Sequence, residues 1–251
     1  MILRRIKAHV AKEDWFAVFI DFIIVVFGVF MGLQVANWNT ARGERALEKG
    51  YMERLHEEAM VGLNGILSSA DHRWTARRYA LDEAYNIIHG LAKDNQGLTS
   101  VHCAALTEVD SIIAFPFQFP SLEEMNASGR LSIILDSSLR RTLTDYSLIQ
   151  KNSRSLVDHL GADQIGLQIA FSDYFRLSHL RVDGDATPQT HWECNLDQMQ
   201  ADRAFLHQFT RASSQFVAYY DLVLRPEIDT VKKIHTMLDA VLEITHAETT
   251  P

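Results

Sequence analysis

The sequence predicts an all-α protein, with one N-terminal transmembrane helix followed by an extramembrane helical bundle. Three observations predict it. A single block near the N-terminus, WFAVFIDFIIVVFGVFMGLQVANW from Trp15 to Trp38, is almost wholly apolar. Only 12 glycines and 5 prolines occur in 251 residues, few turn formers for a chain built of many short strands. Outside the block, apolar residues recur at three- and four-residue spacings, with no sustained alternation and no internal repeat. The 47% hydrophobic and 22% charged content is that of an ordinary globular chain, and the length allows one domain or one domain with an appendage. A net charge of −8 argues against a nucleic-acid partner, because phosphate binding needs a basic surface. The expected organisation is a basic segment over 1–14, a transmembrane helix over 15–38 and a helical extramembrane domain over 39–251.

Residues 1–14, MILRRIKAHVAKED, read either as a short amphipathic helix or as a frayed basic tail that only sets topology. In the first reading Leu3, Ile6 and Val10 share one face, and Arg4, Arg5, Lys7 and Lys12 meet anionic headgroups, each contributing on the order of 1 kcal/mol. The span itself has 24 residues, about 36 Å of helix against a hydrocarbon core of roughly 30 Å. Its uninterrupted apolar run, Phe22 to Leu33, is shorter and alone would suit a signal peptide or a buried soluble helix. Trp15 and Trp38 at the two ends are the interface anchors, where amphipathic rings prefer to sit. Cleavage after Ala36 would put Gln34 at the −3 position, a poor site, so the span is expected to be retained. Basic residues flank it on both sides, Arg42, Arg45, Lys49 and Arg54 following. The nearer and denser group is N-terminal, which predicts a bacterial inner-membrane protein with a cytoplasmic N-terminus and a periplasmic C-terminal domain. Within the span, Asp21 is an acid that a single pass has no ion path to use, so it points to a partner contact or to snorkelling at the interface. Gly28 and Gly32 form a G-x-x-x-G spacing that lets another helix backbone approach.

The stretch DFIIVVFGVFMGLQVANWNTARGERALEKGYMERLHEE resembles an uncharacterised bacterial family of single-pass membrane proteins, whose members carry a segment like GEIxLVVIGIxxALQINNWNE before a charged helix. Asp21, Gly28, Gln34, Asn37, Trp38 and Asn39 fall on its marked positions; Ile20 and Thr40 depart from it. A second block, SLEEMNASGRLSIILDSSLRRTLTDYS, is similar to the family's later motif at Ser128, Gly129, Leu131, Leu139, Arg140, Leu143 and Tyr146. The resemblance implies a membrane-anchored helical protein and carries no activity with it.

Beyond the span, residues 41–69 are expected to form a helix with Leu47, Tyr51, Leu55, Ala59, Leu63 and Leu67 as its apolar stripe, kinked where glycines weaken it. The next helix, 71–92, places Trp74, Leu81 and Ile88 seven apart, with Ala84 and Leu91 between. A loop over 93–100 and a short helix near 103–114 lead to FPFQFP, where two prolines forbid a regular helix; its phenylalanines are expected to plug the bundle end, the alternative being an exposed partner patch. Ser121 and Glu124 have capping-box spacing. Gly129 is expected to end that helix in a left-handed conformation, and Asp136 to cap the next, striped by Leu139, Leu143 and Tyr146. A further helix over 153–180, a polar loop over 181–195 and one kinked or two separate helices over 196–247 complete the expectation. Pro226 stands at the junction, and the aromatics Phe205, Phe209, Phe216, Tyr219 and Tyr220 precede it.

Motifs of catalysis are missing. His56-Glu57-Glu58 opens like a zinc-protease motif, but Met60 stands where its second histidine would be. No haem, nucleophile-elbow, phosphate-loop or dinucleotide pattern occurs. Asp183, Asp185 and Glu193 lack EF-hand spacing. His102 and Cys103 with His191 and Cys194 have no sequence reason to converge on a metal, and no metal or cofactor is assigned. Cys103 and Cys194 are the candidate disulfide if the domain is periplasmic, the alternative being two buried thiols. The expectation is a non-catalytic accessory or scaffolding subunit of a larger bacterial membrane complex, an energy-transducing one being one such host. Other transmembrane subunits would contact Asp21, Gly28 and Gly32. The alternative, a membrane-anchored sensor or receptor, needs a pocket lined by the 205–220 aromatics.

Overall fold

The computed structural model describes residues 15–92, 96–113, 117–162, 166–180 and 189–246. The basic segment 1–14, Phe115, Asp183, Asp185 and the side chain of Trp15 lie outside the described residues. The chain divides into two units, Met1–Tyr51 and Met52–Pro251. Helix α1 runs Trp15–Gly62, and its part in the first unit includes the apolar block. This is a helix long and apolar enough to cross a membrane, and its most apolar window, of mean hydropathy 2.3, has no buried residue.

The second unit is a helical bundle with one small hairpin. A five-residue π segment, Leu63–Leu67, leads from α1 directly into α2, Ser68–Ile88, so the two helices expected over 41–69 and 71–92 have no loop between them. Of the expected stripe, Leu55, Ala59 and Leu67 are buried and Leu63 is half-buried, while Leu47 is exposed; on α2, Trp74, Leu81, Ala84 and Ile88 are buried, whereas Leu91 is exposed. Gly62 sits where the chain passes the Phe117 ring, and a Cβ there would overlap it.

Helix α3 spans Ser100–Thr107, starting earlier and ending sooner than 103–114, because Thr99 caps it reciprocally with His102. Phe117 and Phe119 are buried edge to face, 4.9 Å between ring centres, and Phe119 meets Tyr146 in the same way. Helix α4, Pro120–Ser128, has no side-chain cap of its own, which corrects the capping-box reading. The carboxylate of Glu58 on α1 takes that place, accepting from the Ser121 amide at 3.1 Å and its hydroxyl at 2.7 Å. A carboxylate at a helix N-terminus also meets the positive end of the helix dipole. Gly129 takes φ 68° and ends α4 as expected, and Asp136 caps α5, Ser137–Gly161, by accepting from the Ser138 and Leu139 amides.

The helix expected over 153–180 is not formed. Helix α5 ends at Gly161, a single-turn helix α6 (Leu167–Ala170) follows, and β1 (Phe175–Leu180) pairs antiparallel with β2 (Gln189–Cys194), Phe175 opposite Cys194 and Leu180 opposite Gln189. The strands are six residues each and Leu177 stays exposed, so neither writes a strong alternation into the sequence. Helix α7 (Leu196–Ala201) is capped by Asn195 and α8 (Arg203–Tyr219) by Asp202. A second π segment, Tyr220–Leu224, joins α8 to α9 (Arg225–Leu242) without a break, with Pro226 in the first turn after it, while the short α7 stands apart, its end marked by the extended Asp202.

The core runs along α8 and α9. Phe205, Phe209, Phe216 and Tyr219 are each 0% exposed, and the edge of Tyr219 meets Trp74 at 5.6 Å. Arg77 lies over Trp74 at 4.5 Å and pairs with Glu108; burial draws its pKa down to about 10. Glu227 is buried too, with one carboxylate oxygen left without a hydrogen-bond partner. Burial pushes its carboxyl above the ordinary 4.5, against the opposing hydrogen bond of Ser153 and the charge of Arg154.

Gly62→Ala drives a methyl into a buried ring and should destabilise the second unit by about 1–3 kcal/mol, whereas Gly65→Ala, with open space at its Cβ, should be neutral or stabilising by up to about 1 kcal/mol in denaturant titrations. For Glu227, a raised folded pKa means the native state holds the proton more tightly. Its contribution is therefore most favourable below about 4.5 and is lost as pH rises through the raised value. Glu227→Gln removes that loss, so the melting temperature of the variant relative to wild type should climb from acid to neutral pH; a flat or falling difference would contradict the assignment.

Candidate functional site

Residues 19–40 of α1 are exposed without interruption, including Phe22, Phe27, Phe30 and Trp38. At 3.6 residues per turn, Gly28 and Gly32 fall within about 20° on either side of Asp21, and Asn39 falls on the same line. The acid and both glycines therefore share one face, and space is open where a Cβ would stand on either glycine. At the exit, the Arg42 guanidinium lies 5.7 Å from the Trp38 ring, a cation–π contact suited to the interfacial layer. The same exit turn holds Thr40, whose hydroxyl donates to the Ala36 carbonyl at 3.0 Å.

In the second unit, Cys103 on α3 and Cys194 on β2 are joined as a disulfide, with 5.7 Å between Cα atoms and a sequence separation of 91. The Trp192 amide donates to the Ser100 hydroxyl at 3.1 Å, so the strand is held to α3 by both contacts. His102 is occupied, with Nδ1 accepting from the Thr99 amide and Nε2 lying 2.9 Å from Glu83. The cysteines and His102 thus serve the framework, and no metal set forms from them.

A different convergence appears where α1 meets the end of α9. His56 Nε2 and His246 Nε2 each lie 2.8 Å from Asp239 Oδ1, and His235 Nδ1 lies 3.3 Å from Asp239 Oδ2. The three imidazoles stack with centres 5.0–5.6 Å apart. His235 and Asp239 share a face of α9 at i and i+4. Glu243, at φ 56°, then turns the chain back, and Ile244 donates to the Asp239 carbonyl, which returns His246 to that face. Burial holds the His235 imidazole below its ordinary value, as do the neighbouring rings. Burial alone would raise Asp239, but hydrogen bonds from His246 and His56 outweigh it and lower the carboxyl. Sequence reasoning misses this group. The i, i+4 spacing of His235 and Asp239 was available as a signal, but His56 is 183 residues from Asp239 and nothing local announces it.

Comparison with known proteins yields no matching family model, curated protein or solved structure.

Closing a long loop lowers the entropy of the unfolded chain, so the Cys103–Cys194 bond should contribute about 2–5 kcal/mol. Unfolding with and without reductant should differ by that amount, and Cys103→Ser/Cys194→Ser should match the reduced protein. Equal midpoints would contradict a structural role for the bond.

Proposed function

We propose that the protein is a non-catalytic accessory or scaffolding subunit of a bacterial inner-membrane assembly, docked on other transmembrane subunits through the Asp21, Gly28 and Gly32 face of α1. The observation that carries this is the exposed helix: every residue from 19 to 40 is exposed, and the face that holds the acid also holds the small residues. A carboxylate at that depth is costly unless a partner or the interface satisfies it, and an open glycine face is where a second helix can satisfy it at close range. The membrane-exit residues that resemble the single-pass family support the same anchored organisation.

The N-terminus is assigned to the cytoplasm and the helical unit to the periplasm. Arg4, Arg5, Lys7 and Lys12 before the span favour this topology, and a disulfide in the helical unit fits an oxidising compartment. The receptor alternative asks for exposed aromatics over 205–220, whereas Phe205, Phe209, Phe216 and Tyr219 are buried in the core and the half-buried Tyr220 has its hydroxyl 2.8 Å from that of Thr75.

Extraction of native membranes in mild detergent tests the docking. The wild-type chain should migrate with a larger assembly. Asp21→Leu and Gly28→Leu should each weaken that association by roughly 1–2 kcal/mol, seen as a several-fold loss of co-purifying subunits. A wild-type chain that migrates alone, or leucine variants with undiminished yield, would contradict the proposal. For topology, a reporter fused after Pro251 that is active only in the periplasm should be active.

A further inference from the structure

We propose that His56, His235, Asp239 and His246 form a four-ligand site for a divalent first-row transition metal, zinc by its donor set. This goes beyond the docking role and does not rest on it. The four ligand atoms lie within 4.8 Å of one another. A tetrahedral zinc with bonds of about 2.0–2.1 Å separates its ligands by about 3.3 Å, so a small side-chain contraction closes the shell. Three imidazole nitrogens and one carboxylate oxygen suit zinc or its neighbours in the first row. Calcium and magnesium prefer all-oxygen shells.

The surroundings are those of a built site. His56, His235 and Asp239 keep only 12%, 14% and 19% of their side-chain surface, while His246 closes the open side at 41%. His235 turns Nδ1 toward Asp239 and Nε2 toward the Met60 sulfur, 2.9 Å away, so its far nitrogen is engaged outside the cluster. Such an outer contact fixes which nitrogen faces the ion. Four protein ligands fill a tetrahedral shell, which makes this a structural or storage site rather than one with a position open for substrate. The ion would clip α1 to the C-terminal end of α9 and to the turn after it. Ligands this distant in sequence do not preassemble in the unfolded chain, so binding adds directly to folding stability.

The test uses the untagged full-length protein in detergent, stripped with a chelator and titrated with cobalt(II) and then zinc(II). One cobalt per chain should give the intense visible bands of a tetrahedral site, and one zinc should displace it. His235→Ala and His246→Ala should each weaken zinc binding at least tenfold, while His207→Ala on the exposed face of α8 should leave it unchanged. His246 lies beyond the last helix, so its alanine variant should keep the fold, and zinc should raise the melting temperature of wild type but not of this variant. Absence of saturable binding by the wild-type protein, or His235→Ala and His246→Ala variants that bind zinc as tightly as wild type, would overturn the site.

Discussion

An apolar helix surface left exposed along its whole length is a demand that the surroundings must meet. Phenylalanine, isoleucine and valine side chains dominate α1 from Phe19 to Val35, and each is open to its surroundings. At roughly 25 cal/mol per Å² of apolar surface, leaving them all in water would be prohibitive. A helix hydrophobic all round satisfies its own backbone hydrogen bonds and can leave water for hydrocarbon, whereas an amphipathic one would have turned its stripe to a core. The placement of Trp38 and Arg42 at the exit and the isolation of Asp21 on the glycine face both take their meaning from that constraint.

The second unit solves a different problem. Its core joins aromatic and aliphatic side chains from all the longer helices, and it is fastened by contacts distant in sequence. Glu58 caps α4, a disulfide holds the hairpin to α3, and Asp239 gathers three histidines. Two π segments adjust the helices at the points where packing requires it. One lies beside Gly62 and the buried Phe117, and the other lies just before Pro226, whose ring removes a backbone donor from the ladder. A π turn inserts a residue without opening the helix, which is why neither junction carries a loop.

What was legible in the sequence was the local chemistry. Gly129 and Asp136 end and start helices because a left-handed backbone and an amide-accepting carboxylate are needed within a few residues of each. The seven-residue spacing of Trp74, Leu81 and Ile88 reports a buried face for the same local reason. What was hidden depends on distant partners. Ser121 carries the spacing of a capping box, yet the carboxylate that binds it comes from Glu58, 63 residues away. The strands flanking the 181–188 segment are short and partly exposed, so their pattern is indistinguishable from polar helix and loop. The histidine cluster shows only its His235 and Asp239 half in sequence, because His246 arrives through a left-handed turn at Glu243, a residue type that does not announce one.

Alkaline carbonate washing of membranes from cells that make the full-length chain tests the central claim most directly. A polypeptide whose α1 is embedded in hydrocarbon stays in the pellet, because raising the pH dissolves charge-based attachment and leaves the apolar span in place. The intact chain should therefore remain with the membranes and enter solution only with detergent. Its release into the supernatant would mean that the exposed face of α1 is covered by something other than lipid.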